Sequence, residues 1–320
     1  MKFKNIIFLI VAFCTALLSS CREENFSDSI FDKGDSDLEE GHYAYKFNKW
    51  LDDSYLSVYN LDFRYRMQDV GTDVNYNLVP TKFDKAIDMA LLVKYLWFDA
   101  YAEAINPDFL RMHGPRIIHL IGSPAYNPVN GTIILGLAEG GIKVSLFRCN
   151  EIDYDDIDML NEYYFKTMHH EFSHILHQKK MYPKEFNLIS SVHYEPFSWQ
   201  ERDFRVTASL GFVSPYGSSE TREDFVETIA NYIVKNDEQW NYILETASKG
   251  WEVQTDGSVI EIEDDDDVDG KAVILRKLNI CRTWLKNSWD IDLDKLRNEV
   301  QRRQDNIDME ELREQIYGKK

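Results

Sequence analysis

The chain has 320 residues, 44% of them apolar and 28% charged, and a formal net charge of −19. Its length and apolar share suffice for one large or two modest domains with a sizeable core. The acid excess argues against a nucleic-acid partner, whose phosphates need a basic footprint, and suits an exported soluble protein.

Lys2 and Lys4 open the chain, an apolar run from Ile6 to Leu18 follows, and Ser19-Ser20 stand before Cys21. A basic start, a short apolar run and small residues at a cut site predict a signal peptide over residues 1–20. The run is short of the roughly 20 residues a membrane span takes. Its removal takes away two lysines and no acid, so −19 becomes −21. Leu18-Ser19-Ser20-Cys21 resembles a bacterial lipobox, which implies a lipid on Cys21 and anchorage to a membrane. Arg22-Glu23-Glu24 is similar to the tag that sends some lipoproteins to the outer face of a Gram-negative cell. Residues 21–42 are polar and acidic and predict a flexible tether to a domain over 43–320. Cys149 and Cys281 remain, either as a pair or as two buried thiols.

Apolar spacing predicts helices over Tyr45–Met67 and Phe83–Ala104. Short β-branched runs at Arg116–Gly122, Thr132–Leu137 and Gly141–Phe147 predict strands, the last two split by a turn at Ala138-Glu139-Gly140. A helical pattern runs from about Ile157 to near Lys180, before Pro183. Residues 184–218 read as irregular. Helices return at Arg222–Val234 and about Glu238–Ala247. Residues 249–270 form an insertion, a hairpin at Trp251–Ile262 followed by an acidic loop. Lys271–Lys286 and Asp294–Gln304 read as the last two helices. The fold class expected is α+β: a small mixed sheet beside an active-site helix, with a mainly helical C-terminal part.

Four of the chain's eight histidines fall within Met168–Gln178, on the third predicted helix. His170-Glu171-Phe172-Ser173-His174 is H-E-x-x-H. On a helix the two histidines share a face and can bind one Zn2+, while Glu171 can act as general base toward the metal's water. The spacing Gly-x-x-His that metzincins carry next is replaced by His177 and Lys180. His177 lies about 4.5 Å beyond His174 along the axis, so it is expected to support the site or face substrate. His169 points about 100° away from His170 and is expected to be structural.

Glu223 and Glu227 share one face of a later helix. One carboxylate can bind metal while the other holds a ligating histidine through its second nitrogen. By the E-x-x-x-[DE] spacing of gluzincin-type peptidases Glu223 is the metal ligand and Glu227 the support. Glu220 and Asp224 are neighbouring alternatives, and a solvated acidic face accounts for those two. Asp265, Asp267, Asp269 and Gly270 match the start of a calcium loop, but Arg276 stands where its last ligand would be. A solvated acidic loop is the expectation there, with Ca2+ as the alternative.

His169-His170-Glu171-Phe172-Ser173-His174-Ile175-Leu176-His177-Gln178, followed by Tyr216-x6-Glu223-Asp224-Phe225-Val226-Glu227, resembles the zinc metallopeptidase lipoproteins found with TonB-dependent outer-membrane import systems. The two helices are more distantly similar to the catalytic domain of anthrax lethal factor. The resemblance implies zinc on His170, His174 and Glu223, with Glu171 as general base. It implies an oxyanion donor at Tyr216, with His193 as the alternative. It also implies a peptide or protein substrate, and an importer with its substrate-binding lipoprotein as partners. A second reading is a non-catalytic accessory lipoprotein of such an importer. The strand Gly141–Phe147, taken as a sheet edge, could pair with an extended peptide, unless it lies between two others.

Overall fold

The computed structural model describes residues 40–67, 77–126, 133–134, 136–139, 142–263 and 268–319. The signal peptide, Cys21, the three tag residues and the acidic positions Asp265 and Asp267 lie outside them. The chain divides into a unit of Met1–Asn48, described only from residue 40, and a unit of Lys49–Lys320. The second holds everything below except the first four residues of helix α1. Among the described residues, no helix is long and apolar enough to cross a membrane.

Helix α1 (residues 45–59) ends at Asn60, whose left-handed backbone (φ 52°) stops it well before Met67. The chain then enters strand β1 (Asp62–Arg64). Helix α2 (residues 83–104) has one π-helical turn and buries most of its length. Strands β2 (Ile117–Leu120), β3 (Ala125–Tyr126), β4 (Ile133–Ile134), β5 (Gly136–Glu139) and β6 (Lys143–Leu146) follow. The main sheet has the order β1-β2-β6-β5, parallel except for the antiparallel pair β5–β6. Strand β6 is thus an interior strand, with Val144 opposite Ile118 on one side and Ala138 on the other. Its backbone donors and acceptors are used by both neighbours, so the expected pairing of this strand with a peptide is ruled out. The outer strand beside β6 is β5, which lies against the next helix. Ala138 and Glu139 belong to it and not to a turn.

Helix α3 (residues 157–179) starts where the Asp156 carboxylate accepts from the Met159 N–H at 2.9 Å. It ends as Lys180 turns extended, three residues before Pro183. One side of α3 is core: Phe172 meets Trp97 and Tyr101 of α2 edge-on, at 5.3 and 5.4 Å between ring centroids. Residues 184–218 are more ordered than their sequence suggests. Asp203 caps a short helix, α4 (Phe204–Ser209), and a 3-10 turn runs over Tyr216–Ser218. Helix α5 (Thr221–Val234) packs along α3 and under that turn. Its acids Glu223 and Asp224 sit in the first turn, where the helix dipole favours negative charge.

Helix α6 (Asp237–Ala247) opens on a capping box of Asn236 and Gln239. Strands β7 (Gly250–Val253) and β8 (Val259–Ile262) form the hairpin. Helices α7 (Gly270–Trp289) and α8 (Leu293–Gln304) both pack on α5. A further helix, α9 (Met309–Tyr317), follows the two read from the sequence. The Arg313 guanidinium on α9 donates to the buried carboxylate of Asp88 on α2 at 2.6 Å. Cys149 and Cys281 are both buried free thiols.

Candidate metal centre

Because α3 and α5 run against each other, two short-range patterns 49 residues apart in sequence meet at one point. His170 and His174 present their Nε2 atoms 3.2 Å apart. The Glu223 Oε2 atom lies 3.0 Å from the first and 3.4 Å from the second. A tetrahedral zinc with bonds of about 2.0–2.1 Å holds its ligand atoms roughly 3.3 Å apart. These three residues are the group of side chains placed to hold a metal ion among the described residues.

The remaining nitrogens are also engaged. His170 Nδ1 lies 2.8 Å from Glu227 Oε1, and the ionised carboxylate can only accept, so this nitrogen carries the hydrogen. In the neutral ring that a metal requires, the Nε2 lone pair then faces Glu223 and His174. The second Glu227 oxygen accepts from the Ser214 hydroxyl at 2.6 Å and the Asn231 amide at 3.1 Å. His174 Nδ1 lies 2.9 Å from His177 Nε2, and His177 is buried. Three acceptor atoms therefore converge at 3.0–3.4 Å, the two imidazoles oriented from behind. Such a donor set fits a divalent cation, with imidazole nitrogens and a carboxylate that suit zinc.

The electrostatics point the same way. Burial works against charge on His170, but the carboxylates of Glu223 and Glu227 outweigh it and raise its pKa to about 10. Burial would raise Glu223 and Glu227 in turn. His170 and His174 hold Glu223 well below the usual carboxylate range. Lys166 and then His170 hold Glu227 down to about 2. The centre is built to carry positive charge. Glu171 is half-buried beside it, and burial followed by the repulsion of Glu223 and Glu227 raises its carboxyl, against the pull of His170 and His174.

Tyr216 lies 5.7 Å from the His170 ring, nearly parallel at 25°, with the Glu223 carboxylate as its acidic neighbour. Burial and that acidic neighbour push the phenol up, so it stays a neutral donor. His193 sits in the turn after Ser190, its carbonyl accepting from Arg202 at 2.7 Å. His169 is buried with the Tyr101 hydroxyl 3.0 Å from its Nδ1. Glu220 is exposed. Asp224 is not part of a solvated face: it is fully buried, 2.7 Å from the Lys277 ammonium of α7. Asp269 caps α7 by accepting from the Ala272 N–H. Sequence reasoning missed Ser214, Asn231 and Lys166 around Glu227. Asn231 could have been found, since it stands one helical turn after Glu227.

The family model described as "Putative zinc-binding metallo-peptidase" matches residues 41–294. Among solved structures, a crystal structure titled as a putative zinc-binding metallo-peptidase from Bacteroides caccae is 40% identical, with a TM-score of 0.68. The match covers 84% of this chain and 94% of that one. Comparison with curated proteins gives no match. With the family model spanning most of its length and a relative of this identity aligned over 84% of it, the chain belongs to the family described as "Putative zinc-binding metallo-peptidase".

Proposed function

We propose that the chain is a zinc-dependent peptidase in which His170, His174 and Glu223 hold one Zn2+ and Glu171 is the general base. One observation carries this reading: three acceptor atoms meet at 3.0–3.4 Å, with a half-buried carboxylate on the adjacent residue of the same helix. A purely structural site has no need of that carboxylate. When bound, zinc supplies Lewis acidity to a water and to the carbonyl under attack.

Glu171 takes the proton of the water as its oxygen bonds to the carbonyl carbon. It passes a proton to the amine as the C–N bond breaks. The upward shift of its carboxyl suits a group that must both accept and release a proton near neutral pH. Tyr216, as a neutral phenol, donates to the carbonyl oxygen as charge builds there. Glu227 fixes the ring and tautomer of His170, and His177 those of His174.

The substrate class is peptide or protein, as the family implies. The lipobox-like Leu18–Cys21 supports a surface-tethered outer-membrane lipoprotein, and the family resemblance supports a TonB-dependent importer as partner. The test is cleavage of a mixed peptide library by wild type and Glu171→Gln. The reading expects a loss of about 10²–10⁴-fold with zinc retained. Equal products from both proteins, or none from wild type, would sink it in favour of the accessory-lipoprotein reading.

A further inference from the structure

The segment after α3 carries large apolar side chains into solvent beside this centre. Phe197 is 96% exposed, Val192 84%. Isolated apolar side chains on a surface are ordinary, but a contiguous group is not. Trp199 of the same segment, two residues after Phe197, starts a ring series that ends at the metal centre: it lies 4.8 Å from Tyr216, and Tyr216 lies 5.7 Å from His170.

The segment is also held. The Glu195 N–H donates to Ser218 O at 2.8 Å, the Tyr194 hydroxyl to Asp224 at 2.8 Å, and Arg202 to the His193 carbonyl at 2.7 Å. Phe197 is two residues from Glu195 and two from Trp199, both fastened to the 216–218 turn. Its Cα is therefore within about 7 Å of each. The pinned backbone limits where the bare phenyl ring can reach to the neighbourhood of the centre, so less ordering is left for an apolar partner to supply.

We propose that Phe197, Trp199 and Tyr216 form an aromatic shelf that selects peptides with a large apolar side chain within a residue or two of the bond to be cut. The inference rests on the peptidase reading and names its substrate class. The occupant is the substrate side chain, since Trp199 and Tyr216 lead ring by ring to His170, with Phe197 two residues from Trp199, and so flank a peptide whose carbonyl reaches the centre.

The test reads binding, so it does not depend on turnover. Zinc-loaded Glu171→Gln protein is titrated calorimetrically with two hexapeptides, one with Phe and one with Ala at the middle position. The shelf predicts at least about tenfold tighter binding of the Phe peptide, the order expected for burying one large apolar side chain. That difference shrinks below about threefold when Phe197→Ala or Trp199→Ala is added. Phe197 is too exposed for its replacement to unfold the chain, so it is the cleaner variant. Equal binding of the two peptides, or a difference that survives both replacements, overturns the shelf. Failure of the peptidase reading shows separately, in the library comparison of wild type with Glu171→Gln.

Discussion

Glu227 does more than hold one histidine. Its carboxylate takes hydrogen bonds from His170, Ser214 and Asn231, so three donors depend on it. Glu227→Gln leaves the ring in place but replaces an anion with a neutral amide, and zinc affinity should fall about 10–100-fold in a competitive chelator titration. Unchanged affinity would mean the carboxylate does not tune the centre. His169 gives the pH prediction. Burial holds its imidazole down to about 3, against about 6.5 in the unfolded chain. Between those values the unfolded chain binds a proton that the folded chain refuses. Stability is therefore full above pH 6.5 and declines as pH falls, by roughly 1.4 kcal/mol per unit. Buried His177, also held down, to about 4, adds the same sign. In metal-free protein, His169→Gln should roughly halve the fall of unfolding free energy in urea between pH 6.5 and 5, above the range where ordinary carboxylates titrate, leaving the share of His177. At this scale His170, Glu171 and His174 are legible in sequence because one helical turn fixes their spacing. The hydroxyl of Ser214 is not, since only the turn before α5 brings it to Glu227.

Among the elements, α5 is the one on which the centre depends most, and α7 holds it from behind. The Lys277 ammonium sits between the Asp224 carboxylate and the Gly211 carbonyl, each 2.7 Å away, with the Phe212 ring 4.0 Å below. Removing one partner leaves a bare charge in a dry interior, so Lys277→Met alone should cost about 3–5 kcal/mol in denaturant unfolding. The double variant with Asp224→Asn should recover most of it, because no charge is then left alone. A double variant as unstable as the single would show that packing, not charge, is what Lys277 supplies. Asp224 also shows where element reading stops. A helical wheel places it beside Glu223, but only the packing of α7 decides that it faces a lysine and not water. Strand order has the same character: β2 and β6 are each visible as short apolar runs, yet their parallel adjacency, which makes β6 interior, is a property of the whole sheet. Helix α4 escaped notice at six residues, and α9 at nine with apolar positions only at Met309, Leu312, Ile316 and Tyr317.

At the scale of the molecule, the α+β arrangement serves to cross two helices, α3 and α5, at one place. The aromatic core under Phe172 sets the height of α3. The helices α7 and α8 set that of α5. The class of fold and the two motif helices could be read from periodicity and spacing, whereas their meeting point could not, because nothing local in the chain encodes which face of α5 turns to α3. In the function proposed above, this crossing holds one zinc ion through one ligand pair from α3 and one ligand from α5. The most direct measurement is zinc content by elemental analysis after metal-replete purification, on wild type, His174→Ala and Glu223→Ala. Wild type should carry about one zinc per chain and both variants should lose nearly all of it, each still folded by circular dichroism. A folded wild type without zinc, or a Glu223→Ala protein that keeps its full complement, would contradict it.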